Sequence, residues 1–128
     1  MTAKTWLIPI LLAASTAAGP PAPDSVGVFH LELEKSEPVD GTSVAAVSEV
    51  CLWFTQTPQD GTTSIRVLDE AGEPVATGEV VQDEEDGSLF SVSVPDALPE
   101  GPYTVVWRAM GADGHVVRGE VSFRVTAP

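Results

Sequence analysis

The sequence predicts an all-β fold, a seven-stranded antiparallel β-sandwich made of two sheets. From Phe29 onward, short runs of alternating apolar and polar residues recur between glycine, proline and aspartate breaks, which is the pattern of half-buried strands. No run after Phe29 keeps a helical apolar period over three turns. Seven such runs within about a hundred residues suit a two-sheet sandwich.

The predicted strands follow one another with short breaks, at 31–35, 49–54, 64–68, 75–81, 89–94, 103–109 and 116–125. Side chains alternate between the two faces of a strand, so every second residue of a run faces the core. Three runs supply the predicted core, which consists of Val50, Leu52, Phe54, Tyr103, Val105, Trp107, Val121, Phe123 and Val125. The segment DEAGEP predicts a hairpin turn at 69–74, and LPEGP predicts a corner at 98–102.

The first 18 residues have the layout of a secretory signal peptide. Lys4 precedes an apolar run from Trp6 to Leu12, and small residues continue it as far as Ala18. The run is shorter than the roughly 20 residues that a membrane-spanning helix needs. We therefore expect a signal peptide over 1–18, a flexible leader over 19–28 and one folded domain over 29–128. The product is expected in the periplasm or another extracytoplasmic space, not embedded in a membrane.

The chain is strongly acidic, with 19 acidic residues, 6 basic residues and a formal net charge of −13. Such a charge repels phosphate backbones and concentrates cations, so nucleic acid is excluded as a partner class. Solubility or adaptation to salt is the alternative explanation for the acidity. Cys51 is the only cysteine, so the core must hold the fold without an internal disulfide.

The two histidines of the chain, His30 and His115, are the strongest candidates for site chemistry. His30 comes just before the first predicted strand, and His115 follows a Gly-Ala-Asp-Gly turn. If the chain is extended there, Asp113 and His115 project to the same side and could reach one ion. A carboxylate and an imidazole at this spacing also occur by chance, so the pair alone leaves a metal site and an ordinary turn open.

Two stretches of the sequence together resemble the CopC copper-resistance family. The first, HLELEKSEPVDG, is similar to the opening of mature CopC proteins at His30, Leu33, Ser36, Pro38 and Gly41. The second, LPEGPYTVVWRAMGADGHVVRGEVSFRV, is similar to the closing signature of the family at Gly101, Tyr103, Trp107, Arg108, Asp113, Gly114, His115 and Gly119. With CLWFTQ in the second predicted strand, the resemblance covers nearly all of 30–125.

The resemblance implies an immunoglobulin-like sandwich and a Cu(II) site formed by His30, Asp113 and His115. Cu(II) favours a tetragonal set of nitrogen and oxygen donors, and these side chains would supply three of the four. In the family, the fourth donor is the free α-amine of the first histidine. The expected signal cleavage leaves residues ahead of His30, so here that nitrogen would be an amide, which is a poorer ligand.

Other possible ligands are less favoured. Glu32 and Glu34 share the His30 side of the first predicted strand, and we expect both to be exposed. Cys51 could bind Cu(I) as a thiolate, but a free cysteine is more often a small packed hydrophobe. Some family members have a methionine-rich Cu(I) site, which we do not expect here because Met110 is the only methionine after the signal peptide. The chain also has Gly111 where the family usually has a serine.

The sequence therefore predicts an extracytoplasmic Cu(II)-binding protein that acts in copper buffering, delivery or resistance. We expect a monomer whose partners are the copper ion and, as a candidate, a membrane copper transporter. No serine lies in a nucleophile-elbow motif and both histidines are assigned to the metal, so we do not expect an enzyme. The alternative is an immunoglobulin-like interaction module that has lost tight metal binding.

Overall fold

Two four-stranded β-sheets pack face to face in the computed structural model, which describes residues 30–126. The strands are β1 (Leu33–Glu37), β2 (Thr42–Val44), β3 (Glu49–Phe54), β4 (Ser64–Leu68), β5 (Val81–Gln82), β6 (Leu89–Ser93), β7 (Gly101–Met110) and β8 (Val116–Val125). One sheet has the order β1-β3-β6-β5 and the other β2-β8-β7-β4. The expected signal peptide over 1–18 and leader over 19–28 lie outside the described residues. Within 30–126, no helix is long and apolar enough to cross a membrane.

The predicted all-β sandwich is confirmed, with eight strands where the sequence predicts seven. The additional strand is β2, which is three residues long and therefore too short to show an alternating pattern. It pairs in parallel with the end of β8, where Thr42 lies opposite Phe123 and Val44 lies opposite Val125. The other strand pairs are antiparallel.

The strand predicted at 75–81 does not form as a continuous strand. The Val75 amide donates a hydrogen bond to the Val67 carbonyl in one sheet at 2.8 Å. Only three residues later, the Gly78 amide donates to the Ser93 carbonyl in the other sheet at 2.9 Å. The segment crosses from β4 to β6 and divides its backbone hydrogen bonds between the two sheets, so only its end pairs as β5.

The core lies between the two sheets, and all nine predicted core residues are buried in it. The Phe54 and Trp107 rings join the sheets in an edge-on contact, with centroids 5.1 Å apart. Gly119 lies directly opposite Trp107 on β8. A Cβ atom at Gly119 would approach the indole to 2.5 Å, so the position has room for glycine alone.

Both predicted turns are held by local hydrogen bonds. In the first turn, the Asp69 carboxylate accepts hydrogen bonds from the Ala71 and Glu73 amides, each at 2.9 Å. In the corner before β7, the Tyr103 hydroxyl donates to the Pro99 carbonyl at 2.7 Å. This corner fixes the start of β7, the strand that runs to the opposite end of the sandwich and into the turn that carries Asp113 and His115.

Candidate metal centre

The tip of the β7–β8 hairpin presents Asp113 and His115. The Gly111 amide donates to the His115 carbonyl at 3.0 Å, and the Gly114 amide donates to the Gly111 carbonyl at 2.9 Å. Gly114 has a φ of +86°, a left-handed conformation that glycine adopts without steric cost. This is a three-residue hairpin turn with glycine at the left-handed position, and the sequence Ala-Asp-Gly meets its requirements.

The Asp113 carboxylate is held between the backbone and the two imidazoles. Its Oδ1 accepts a hydrogen bond from the His115 amide at 3.0 Å. Its Oδ2 lies 3.1 Å from His115 Nδ1 and 3.6 Å from His30 Nδ1. The hydrogen bonds from the His115 backbone and side chain hold the pKa of Asp113 below its ordinary value. The carboxylate is therefore ionised, as a metal ligand must be.

His30 reaches the same end of the sandwich because the residues that follow it are fixed against the end of β3. Leu31 is buried in the core. The Glu32 amide donates to Thr55 Oγ1 at 3.0 Å, and the Thr55 amide donates to the Glu32 carbonyl at 2.8 Å. Strand β1 itself begins at Leu33, two residues later than predicted, and its pairing with β3 is irregular between Leu33 and Lys35.

Sequence positions that lie far apart thus converge on one small exposed site. His30, Asp113 and His115 each place a ligand atom within 4.8 Å of those of the other two. The imidazole ring centroids are 5.9 Å apart. The side chains of the three residues are 61%, 40% and 69% exposed, respectively. All three predicted site residues therefore come together, and two imidazoles with an ionised carboxylate match the nitrogen and oxygen donors that Cu(II) favours.

Gln59 and Thr62, in the loop between β3 and β4, support the hairpin tip from behind. The Gln59 side-chain amide donates to the Gly111 carbonyl, and its backbone amide donates to the Met110 carbonyl, both at 2.9 Å. Thr62 Oγ1 accepts a hydrogen bond from the Met110 amide at 3.2 Å. Neither residue could be predicted from the sequence, because a polar residue in a loop gives no signal of which carbonyl it will bind.

Gly111 allows the hairpin tip to lie close to the start of the domain. It is buried, and a Cβ atom there would lie 3.1 Å from Asp113 Oδ1 and 3.4 Å from the Leu31 Cβ. The first of these distances is shorter than ordinary van der Waals contact. The glycine found here in place of the usual serine therefore leaves more space behind the Asp113 carboxylate.

The less favoured ligands lie outside this cluster. Glu32 and Glu34 are exposed, as predicted. Cys51 is half-buried in the other sheet, on β3, and lies opposite Glu37 of β1. Burial first, and then the nearby Glu49 and Glu37 carboxylates, raise the pKa of Cys51 to about 11. The thiol is consequently protonated at neutral pH, which is the form that binds metal ions poorly.

Comparison with known proteins identifies related sequences. Copper resistance protein C of Xanthomonas campestris pv. juglandis is 29% identical over 122 residues, which cover 91% of each chain. Protein YobA of Escherichia coli K12 is 27% identical over 97 residues, covering 75% of this chain and 78% of that protein. Copper transport protein CutJ of Bacillus subtilis is also 27% identical over 97 residues, but this chain spans only 18% of it.

Solved structures of similar proteins have the same fold. CopC from Methylosinus trichosporium OB3b matches with a TM-score of 0.70 and 28% identity, covering 77% of this chain and 95% of that one. PcoC, a methionine-rich copper resistance protein from Escherichia coli, matches with a TM-score of 0.69 and 27% identity, covering 77% of this chain and all of that one. The fold is thus the immunoglobulin-like sandwich of these proteins. The CopC domain family model matches residues 33–126, and the chain therefore belongs to the CopC family.

Proposed function

We propose that the protein binds one Cu(II) ion through His30, Asp113 and His115 and acts in copper buffering, delivery or resistance. The convergence of these three side chains within 4.8 Å is the observation that carries the proposal. Copper as the ion is supported by membership of the CopC family and by relatives that are named copper resistance and copper transport proteins.

The donor set favours Cu(II) over Cu(I). Two imidazole nitrogens and a carboxylate oxygen suit a tetragonal Cu(II) site, whereas Cu(I) prefers thiolate and thioether sulfur. The cluster contains no sulfur ligand within the described part of the chain. A fourth position is left for water or for the backbone nitrogen of His30, and that nitrogen is a strong donor only if the mature chain begins there.

The exposure of the three side chains favours exchange of the ion. An ion on this tip would remain open to solvent on one side, because the donors are between 40% and 69% exposed. A partner could approach it without unfolding the domain. We therefore propose a binding role without catalysis, and a membrane copper transporter as a candidate partner.

Cu(II) titration followed by electron paramagnetic resonance tests the site. We expect one tetragonal Cu(II) per chain, and a loss of affinity of at least about tenfold in His115→Ala, because no neighbour replaces the nitrogen donor. Asp113→Asn should weaken binding less, since an amide oxygen can still approach the ion. The matched control is Glu34→Gln, which removes an exposed carboxylate outside the cluster and should leave the affinity unchanged.

The double variant His30→Ala/His115→Ala decides the proposal. It should lose the tetragonal signal, and the wild type should release copper as the pH falls into the mildly acidic range, because protons compete with the metal ion for the nitrogen donors. The carboxylate should stay ionised over this range, since hydrogen bonds lower the pKa of Asp113. Equal binding by wild type and double variant would assign the copper to adventitious acidic sites and favour the interaction module.

The extracytoplasmic role is tested by the N-terminus of the mature chain. We expect signal cleavage after Ala17 or Ala18, where small residues end the apolar run. The intact mass of the exported protein measures this directly. A mass that retained Lys4 would contradict export, and a chain that began at His30 would supply the α-amine as fourth donor.

A further inference from the structure

All four arginines of the chain lie on the outer surface of the β2-β8-β7-β4 sheet. Arg66 on β4, Arg108 on β7, and Arg118 and Arg124 on β8 are exposed and alternate with residues that face the core. We call these four residues the arginine face. Only 6 basic residues occur in this chain of net charge −13, so most of the positive charge is gathered on one surface. Lys35, the other described basic residue, lies on β1 of the opposite sheet.

Three of these arginines form a cluster in which positive charge exceeds negative charge. Arg108 lies directly opposite Arg118 in the β7–β8 register. Arg66 pairs with Val106, which is next to Arg108 on the same side of β7. Like charges placed directly opposite each other on a sheet, with Cβ atoms about 5 Å apart, destabilise the pairing. None of the arginines forms an ion pair with another residue of 30–126. The exposed Glu120 carboxylate on the same side of β8 can offset only one of the three charges, so the cluster keeps a net positive charge.

The cluster is close to the candidate metal centre along the same hairpin. Met110 pairs with Val116 two positions beyond the pair formed by Arg108 and Arg118. A strand rises about 3.3 Å per residue, so the arginine pair lies about 7 Å from the last pair of the ladder. The turn with Asp113 and His115 follows directly. A macromolecule in contact with the arginines would therefore also lie beside the exposed imidazoles.

We propose that the arginine face is the docking surface for a carboxylate-rich surface of the protein that exchanges copper with the candidate metal centre. The proposal rests on the proposed function for the exchange of copper. A guanidinium group binds a carboxylate with two parallel hydrogen bonds, which gives geometric specificity as well as attraction. Complementary charge at the contact orients an approaching partner and raises the association rate.

A carboxylate-rich protein surface fits this face better than an anionic membrane does. A membrane is a broad plane, and the acidic flanks of a chain with a net charge of −13 would meet the same headgroups and be repelled. A protein surface can contact the arginines alone. Glu120, which is exposed and lies opposite Val106, places a carboxylate among the arginines and narrows the positive area.

A second copy of the chain fits the face less well for two reasons. Two copies carry the same large negative charge and repel each other at long range. The contact would also join two different surfaces, and a contact of that kind leads to open assemblies unless the rotation closes a ring. A separate protein whose carboxylates are confined to the contact surface has neither constraint at a single binding event.

A hexaglutamate peptide is the probe for the docking surface. Titrated into the isotope-labelled chain at low ionic strength, it should shift the amide resonances around Arg108 and Arg118, and added salt should reverse the shifts. Arg118→Glu should weaken the binding at least about fivefold, since it reverses one charge of the opposed pair. The matched control is Lys35→Glu, which makes the same charge change on the other sheet and should alter the binding less than about twofold.

Three results would overturn the proposal. Equal weakening by Arg118→Glu and Lys35→Glu would mean that only the overall charge matters. Binding to phosphatidylglycerol vesicles without binding to hexaglutamate would assign the face to a lipid surface. Self-association in sedimentation that Arg118→Glu abolishes would assign it to a second copy.

The docking surface and the copper site are tested separately. Arg118→Glu should bind Cu(II) as the wild type does, because the side chain is not a donor in the cluster. A wild type that binds hexaglutamate at the arginine face but fails to bind Cu(II) would contradict the proposed function and still support the docking surface.

Discussion

Trp107 and His115 belong to the same β7–β8 hairpin, and their surroundings are opposite. Trp107 is 4% exposed, and its indole packs against the Phe54 ring and lies over Gly119. His115 has a side chain that is 69% exposed and contacts Asp113 and His30. The buried half of the hairpin therefore supplies stability, while the tip supplies metal donors from exposed positions outside the core.

The two halves of the hairpin are also held in place by different kinds of interaction. Trp107 is positioned by packing within a core that both sheets contribute to. The tip is positioned by a few hydrogen bonds within the turn and by Gln59 and Thr62 of one loop. In β-sandwiches the sheets commonly form a rigid scaffold, and the loops that project from it carry the functional residues. Stability and metal affinity should therefore respond to different substitutions.

Trp107→Ala should have the largest effect on stability, lowering the free energy of unfolding by about 3–5 kcal/mol, because the sandwich cannot refill the cavity. Chemical denaturation measures the loss. Trp53→Ala is the matched control, since Trp53 is only half-buried and its ring lies under Lys35 Nζ, 4.2 Å from the ring centroid. A loss below about 1 kcal/mol in Trp107→Ala would show that the indole contributes little to the core.

Trp107→Ala should leave the copper site intact, because the indole lies in the core and is not a donor in the cluster. Cu(II) titration under conditions where the variant is folded should give the wild-type affinity and the same paramagnetic resonance spectrum. A large change in that spectrum would mean that core packing also sets the geometry of the tip, and the separation of the two halves would then fail.

Gln59→Ala should have an intermediate effect, because it removes the side-chain donor to the Gly111 carbonyl behind the tip. We expect the Cu(II) affinity to fall severalfold and the free energy of unfolding to fall by about 0.5–1.5 kcal/mol. Gln82→Ala is the matched control, because Gln82 donates a similar 2.9 Å hydrogen bond to the Gly87 carbonyl on another loop.

A purely structural role for Gln59 makes a different prediction. In that case both glutamine variants would lose similar stability and both would keep the wild-type affinity and resonance spectrum. A change in the spectrum of Gln59→Ala alone would identify Gln59 as a positioning residue for the metal ligands.

Much of the fold could be predicted from the sequence because alternation directly reports burial. In β3 and in the second half of β8 every second side chain is buried, so Val50, Leu52 and Phe123 identify the faces that point to the core. The segment 75–81 shows the limit of this reasoning. Its alternation is the same, but Val75 and Gly78 bind different sheets, and a periodic pattern does not say which neighbour a backbone amide will find.

The candidate site could be predicted in its members but not in its geometry. The two histidines and the family motifs point to His30, Asp113 and His115, and the left-handed Gly114 fits the turn in which they lie. His30 approaches Asp113 because Thr55 forms hydrogen bonds with the backbone of Glu32, two residues after His30. Such long-range hydrogen bonds are set by the packing of the whole sandwich and have no local sequence pattern.

Substitution of Cys51 should have the smallest effect on copper binding, although its side chain is the only thiol of the chain. Cys51→Ser should keep the Cu(II) affinity within about twofold, because the side chain lies outside the cluster of donors. A serine hydroxyl has nearly the same size, so the fold should persist. A tenfold loss of affinity would mean that the thiol is a ligand and that the cluster at the hairpin tip is not the whole site.

The pKa of the Cys51 thiol gives a second test of whether Cys51 could act as a metal ligand. Its pKa, raised from 9.0 to about 11, should appear as a late midpoint when ultraviolet absorbance follows thiolate formation. Glu49→Gln should lower that midpoint, since the Glu49 carboxylate opposes the thiolate, and Glu120→Gln on the other sheet should not. Because the folded pKa lies above the ordinary one, the neutral thiol favours folding below pH 9, and this contribution is lost between about 9 and 11. A midpoint at or below 9 would mean that neither burial nor the nearby carboxylates disfavour the thiolate.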